Sequence, residues 1–136
     1  MPITYQIDAD KRTIRTKGVG QVTLQEVIDH FRRLEQDPQC PERLDVFLDL
    51  SEVNSLPETR QLATVISELK RIRVRLRFDT CAILAGRDAL FGMMRMFEAL
   101  AEEMFRVTRT FRIATEAEAW LVSQQSLAKN KPLDRA

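Results

Sequence analysis

The chain has one histidine, two cysteines and four glycines in 136 residues, and each scarcity closes off a class of chemistry. A single imidazole, His30, cannot supply a two-histidine metal site. Cys40 and Cys81 stand far apart, with neither CxxC nor metal-ligand spacing. No metal and no other cofactor is expected. Gly18 and Gly20 form a "GVG" without the strand–GxGxxG–helix context, no GxxxxGK[ST] loop exists, and no GxSxG elbow is present. Nucleotide cradles and nucleophile elbows are therefore unsupported. A net charge of +1 gives no global attraction to nucleic acid. No apolar run approaches the roughly 20 residues a membrane-spanning helix needs, so stable membrane insertion is not expected. The opening "MPITYQID" is too poor in apolar residues for a secretory signal, and Cys81 inside "TCAILA" reads as a small buried hydrophobe. Reduced thiols and a cytoplasmic location follow as expectations.

What is present is a regular alternation of two periods. "ITYQID" sets Ile3, Tyr5 and Ile7 against Thr4, Gln6 and Asp8, a strand covered on one side. "DADK" turns the chain into a second strand, "RTIRTKG", giving a hairpin. Thr23 and Glu26 then form a T-x-x-E capping box before Val27, Ile28, Phe31 and Leu34 on one helical face. Pro38 and Pro41 close that helix. "VFLDL" is a strand with Val46, Leu48 and Leu50 pointing one way, Phe47 and Asp49 the other. Ser55 and Glu58 propose a second capping box with Pro57 in the first turn; Leu62, Val65, Ile66 and Leu69 form the stripe behind it. "CAILA" is apolar throughout, as in a central strand buried on both faces. A third helix is expected from Asp88 to Met104, then a strand in "FRVTRTF", then a third capping box at Thr115 and Glu118 before a last helix. These elements predict an α/β fold: a single mixed β-sheet with an N-terminal antiparallel hairpin, then parallel β-α-β units, and helices mainly on one face. One domain spans 1–127, with a frayed tail over 128–136.

Candidate chemistry is sparse. His30 lies four residues after Glu26, and a Glu–His contact along the helix surface accounts for it without catalysis. Asp49 and Ser51 stand where a parallel strand ends, and Arg87 follows "CAILA" at the equivalent edge, so the two loops would share a crevice. Turn chemistry alone also explains Asp49 and Ser51, through hydrogen bonds to loop backbone. In the third helix Leu90, Met93, Phe97, Leu100 and Met104 follow core spacing, while Phe91, Met94 and Ala101 widen the apolar arc. Those flanking side chains either fill core gaps or line a subunit contact or a lipid-like pocket. "KRIRVRLR" places Lys70, Arg71, Arg73, Arg75 and Arg77 at a helix C-terminus, where the dipole favours cations; without interleaved aromatics no nucleic-acid partner is expected.

Several phrases in this order resemble a known family. "ITYQIDADKRTIRTKGVGQVTLQEV", "VFLDLSEV", "FGMMRMFE" and "FRIATEAEAWL" are similar to the SpoIIAA-like branch of STAS domains, over about Ile3 to Leu121. The resemblance implies a sheet with helices packed mainly on one face, a cytoplasmic location and no enzymatic activity. In the anti-sigma-factor antagonists of that family, a "DSSG"-like stretch after the "LDLS" strand carries a serine that a partner kinase phosphorylates. Laid on that pattern, "LDLSEVNSLPETRQL" puts Thr59 at the hydroxyl position, but Pro57 and Glu58 precede it and Arg60 replaces the glycine. The branch is also similar in outline to SEC14-type lipid-binding domains. The expected function is that of a non-catalytic regulatory domain that binds a protein partner or its own copy as a homodimer. Its candidate residues are Asp49, Ser51, Thr59, Arg60, Arg87, Phe91 and Met94. The alternative is a carrier or sensor of a small apolar or lipid-like ligand held between the third helix and the sheet. A third idea is an enzyme using Asp49 near Arg87.

Overall fold

The two-residue and 3.6-residue periods become a five-stranded sheet and four helices in the computed structural model, which describes residues 2–130 and their side chains through 127. The elements are β1 (Ile3–Asp8), β2 (Thr13–Gly20), α1 (Leu24–Gln36), β3 (Arg43–Val53), α2 (Thr59–Ile72), β4 (Arg77–Leu84), α3 (Asp88–Leu100), β5 (Val107–Phe111) and α4 (Ala114–Asn130). Strand order is β1-β2-β3-β4-β5. β1 and β2 pair antiparallel, and each later pair is parallel. The hairpin turn is tightened by the Asp8 carboxylate, which accepts the Lys11 N–H, and by Arg12 at φ +50.

Alternation along each strand divides the core in two. Ile14 of β2, Leu44 of β3, and Cys81 and Ile83 of β4 face α1, α2 and α3, whose buried stripes include Leu34, Leu62, Ile66, Leu69, Leu90 and Phe97. Phe47, Ala82, Leu84 and Phe111 face the other way, against Ala117, Leu121 and Trp120 of α4. Three helices thus cover one face, and α4 covers part of the other. Its docking is fixed by polar contacts. Arg15 forms a bidentate pair with Glu118 at 2.7 and 2.8 Å, and Gln125 donates to Thr13 Oγ1 and to the Asp45 carboxylate. "CAILA" is buried from Cys81 to Ala85, as a central strand should be.

Helix α3 starts at Asp88 as expected, and of the three starts read as capping boxes one forms and two do not. At α1 the Thr23 hydroxyl accepts from the Glu26 N–H and the Glu26 carboxylate accepts from the Thr23 N–H, the reciprocal box expected. At α2 the cap lies three residues later than expected: the Glu58 N–H donates to Gln61 Oε1 at 2.8 Å, and Thr59 is the first helical residue. Ser55 is diverted, because its hydroxyl accepts from the Val22 N–H at 3.0 Å and is 3.4 Å from the Val22 carbonyl. At α4 the helix begins with Ala114, so Thr115 lies inside the first turn and Glu118 is committed to Arg15. Helix α3 ends at Leu100, four residues before the expected Met104. Leu100 is 43% exposed, whereas Met94 and Ala101 are buried. Helix α4 runs to Asn130, three residues into the stretch expected as tail, and the rest of that tail (131–136) lies outside the described residues.

Glycine at position 18 answers a close approach. A Cβ there would lie 2.8 Å from Val53 Cγ2, at the point where the β2–β3 register shifts between Lys17 and Val19.

Candidate functional site

The layer beneath α1 and α2 is not filled. Between these helices and the sheet lies a cavity of about 210 Å³. Its floor is Ile14, Thr16 and Gly18 of β2 with Val46, Leu48 and Leu50 of β3. Val27, His30, Phe31 and Leu34 of α1 form one wall, Leu62, Val65 and Leu69 of α2 another, and Leu90, Met94 and Phe97 of α3 close the inner end. Val46, Leu48 and Leu50 are only half-buried although they sit mid-strand under helices, which is how side chains facing a void differ from packed ones. The more exposed lining residues, Thr23 and Leu56, come from the segments that precede α1 and α2, so the cavity opens there. Ser55 bridges these two segments through its bonds to Val22.

Among the described residues no lining side chain carries a formal charge, and His30 is the one titratable base that lines the cavity. The imidazole packs edge-on to Tyr5 at 5.3 Å between ring centres and beside Phe31 at 5.5 Å. It is 6% exposed, and its Nδ1 is buried with no hydrogen-bond partner among the described residues. Burial, with a smaller push from Arg33, lowers its pKa from the usual 6.5 to about 4, so the ring is neutral at physiological pH. The surface Glu26–His30 contact expected from spacing does not form. Glu26 is taken by Thr23, and His30, three residues after Val27 and four before Leu34, lies on the apolar stripe. That spacing was the available signal for its burial. Tyr5 is held in turn by its hydroxyl, which donates to Asp37 at 2.8 Å; burial and the Asp37 carboxylate push the phenol up to about 12.

The residues expected at the strand ends do not assemble into one site. The Asp49 carboxylate accepts from the Ser51 N–H at 2.9 Å and the Ser51 hydroxyl at 2.6 Å, a local bond made inside β3, which runs on to Val53 instead of ending at these residues. Arg87 reaches the Val53 carbonyl at 3.1 Å, and no hydrogen bond or ion pair joins it to Asp49 among the described residues. Thr59 is exposed at the first position of α2, its Oγ1 3.8 Å from Met96 Sδ, and Arg60 folds back onto Glu58. Phe91 lies under the Arg112 guanidinium at 4.3 Å, and Arg112 also pairs with Asp88. Met94 alone of the seven lines the cavity.

Other parts of the molecule carry less. Cys81 is buried and its thiol is pushed well up by desolvation; Cys40 is raised to about 11 for the same reason. Within the basic run, Arg71 is held by Glu35 at 2.8 Å and Glu68 at 3.2 Å, tying the C-terminal ends of α1 and α2 together. Among the described residues no cluster of three or more His, Cys, Asp or Glu could hold a metal, and no helix is long and apolar enough to cross a membrane.

Comparison with known proteins adds the fold. No family model matches the chain, and no curated protein does. Among solved structures it is similar to an uncharacterised protein of the DUF3478 family, with a SpoIIAA-like fold, from Shewanella loihica PV-4. The two are 17% identical over 88% of this chain and 91% of the other, with a TM-score of 0.57. The antiparallel opening pair, the parallel strands that follow and the four helices match that architecture: the chain has a SpoIIAA-like fold.

Proposed function

We propose that this domain is a non-catalytic binding module that takes up one small apolar molecule between the sheet and helices α1 to α3. The observation that carries this reading is the cavity of about 210 Å³ with an uncharged, largely aliphatic and aromatic lining. An engineered cavity of about 150 Å³ with such a lining stays dry and accepts benzene, so this one has room for roughly eight non-hydrogen atoms. At about 24 cal/mol per Å³, leaving 210 Å³ empty corresponds to about 5 kcal/mol of forgone packing, part of which an occupant restores. The site differs from the expected one in extent: α1 and α2 contribute more of it than α3.

Native mass spectrometry of protein purified from its host should show a co-purifying small molecule, and ethylbenzene added to stripped protein should raise its melting temperature. A clean mass together with an unmoved melting temperature would sink the reading. Leu48→Phe, which projects a larger ring into the void, should abolish the ethylbenzene response. It should leave the ligand-free protein unchanged or more stable by about 1 kcal/mol.

A second reading, docking of a protein partner or a second copy, is supported by an exposed group at the start of α2. Thr59 lies beside Met96, which is 41% exposed, and Arg60 is exposed next to it on α2. If the chain self-associates there, light scattering should give a dimer mass for wild type and a monomer mass for Met96→Glu. Identical masses would remove self-association through this surface.

A further inference from the structure

The sheet's two outer strands are finished differently. On β5 the Glu98 carboxylate accepts the Thr110 N–H at 2.8 Å, so a side chain occupies a backbone donor that a further strand would need. Proline, lysine, a bulge or such a covering group is how an exposed edge is normally kept single. Among the described residues β1 has none of these. Its six residues, ITYQID, pair with β2 in an unbroken register and carry one charge, Asp8, at the far end. The Val19 N–H donates to the Pro2 carbonyl at 2.8 Å, which sets the phase of the β1–β2 ladder. Thr4, Gln6 and Asp8 therefore bond to β2, while the N–H and C=O groups of Tyr5 and Ile7 point away from it. Both residues are half-buried, and no strand lies beyond them among the described residues. We propose that this edge pairs antiparallel with β1 of a second copy about a two-fold axis at Gln6, joining two five-stranded sheets into one.

Three features select a second copy as the occupant. With the axis at Gln6, Tyr5 of each copy faces Ile7 of the other, and the two exchange backbone hydrogen bonds, about four in all. Their apolar side chains meet on the helical side, where Tyr5 and Ile7 already pack. On the opposite side Thr4 of one copy stands against Asp8 of the other, a hydroxyl beside a carboxylate, and no like charges are opposed. The same axis reverses α1 relative to its copy, as an isologous contact requires. It turns Asp29 in the first half of one α1 toward Arg33 in the second half of the other. Both are exposed and stand outside the ion pairs of the described residues. Arg33 lies on this flank of the helix, since its charge acts on both Tyr5 and His30. The contact is independent of the cavity and of the surface at the start of α2.

The test uses the full chain in sedimentation equilibrium and in amide hydrogen exchange, each over a concentration series. Wild type should pass from monomer to dimer as concentration rises. The Tyr5 and Ile7 amides should become protected over the same range, while those of Thr4 and Gln6 are protected throughout. Gln6 is exposed and faces its own copy across the axis, so it can be charged without touching the core. Gln6→Lys and Gln6→Glu should each weaken self-association by about tenfold, because like charges then meet. An equal mixture of the two variants should recover a heterodimer of wild-type affinity or better. Met96→Glu should leave this dimer unchanged. A monomer at every concentration would overturn the proposal, and would be the result if the edge served a strand of another protein. A dimer with freely exchanging Tyr5 and Ile7 amides would overturn it by placing the contact elsewhere. Undiminished association of either Gln6 variant, or a mixture that fails to recover, would equally rule out the axis at Gln6.

Discussion

Replacing Ile83 by alanine should cost about 4 kcal/mol of folding stability, whereas Leu48→Ala, a comparable truncation on the neighbouring strand, should cost only about 2 kcal/mol. Both side chains point toward the same helical layer. Ile83 is fully buried on β4 and does not border the cavity, so every methyl group removed loses close-packed neighbours. Leu48 is half-buried on β3 with the void on one side, so it has fewer contacts to lose. The range for buried leucine or isoleucine truncations is about 2–5 kcal/mol, and the spread depends on how completely the site was packed beforehand. Urea melts of both variants against wild type would measure the difference. Equal losses would mean that Leu48 is packed as tightly as Ile83 and that the void does not exist in solution.

Acid should expose His30 next. Between pH 7 and pH 4 the wild type should lose about 3 kcal/mol that a His30→Phe variant retains. The native imidazole has its pKa lowered to about 4 because burial penalises its charged form, while in the unfolded chain it returns to 6.5. Above 6.5 the ring is neutral in both states and contributes no pH dependence. As pH falls from 6.5 toward 4 the unfolded state takes up the proton and the native state does not, so stability drops throughout that window. Below the native value both states are charged and the penalty stops growing. Carboxylates titrate in both proteins, so the difference between the two stability profiles isolates the histidine. Parallel profiles would show that the ring is already accessible to water at neutral pH.

Much of the architecture was readable because local signals agreed with the fold. The 2-residue alternation in "ITYQID", the unbroken apolar run in "CAILA" and the reciprocal Thr23–Glu26 cap each describe a contact between sequence neighbours. The errors occurred where a residue with a local reading was taken by a distant one. Ser55 serves Val22, 33 residues away, so it cannot cap α2; Glu118 serves Arg15, 103 residues away, so it does not cap α4. His30 had two compatible local partners, Glu26 on one side and the Val27–Leu34 stripe on the other, and burial decided for the stripe. The cavity was only partly legible. The wide apolar arc of α3 pointed to Met94, which does line it. The gap itself is set by how α1 and α2 stand off β2 and β3, and periodicity specifies which side chains face inward without specifying how far apart the layers sit.

The uninterrupted strand order has one more consequence. After the opening hairpin, the connections through α1, α2 and α3 all step in the same direction and pass over the same face of the sheet. In open α/β sheets an end-on crevice forms where neighbouring connections depart toward opposite faces, and no two of these three do so. The tips of β3 and β4, with Ser51 and Arg87, therefore lack the divergence that would part them into a cleft. A guest of this domain would enter instead between the segments that precede α1 and α2, passing under the helical roof.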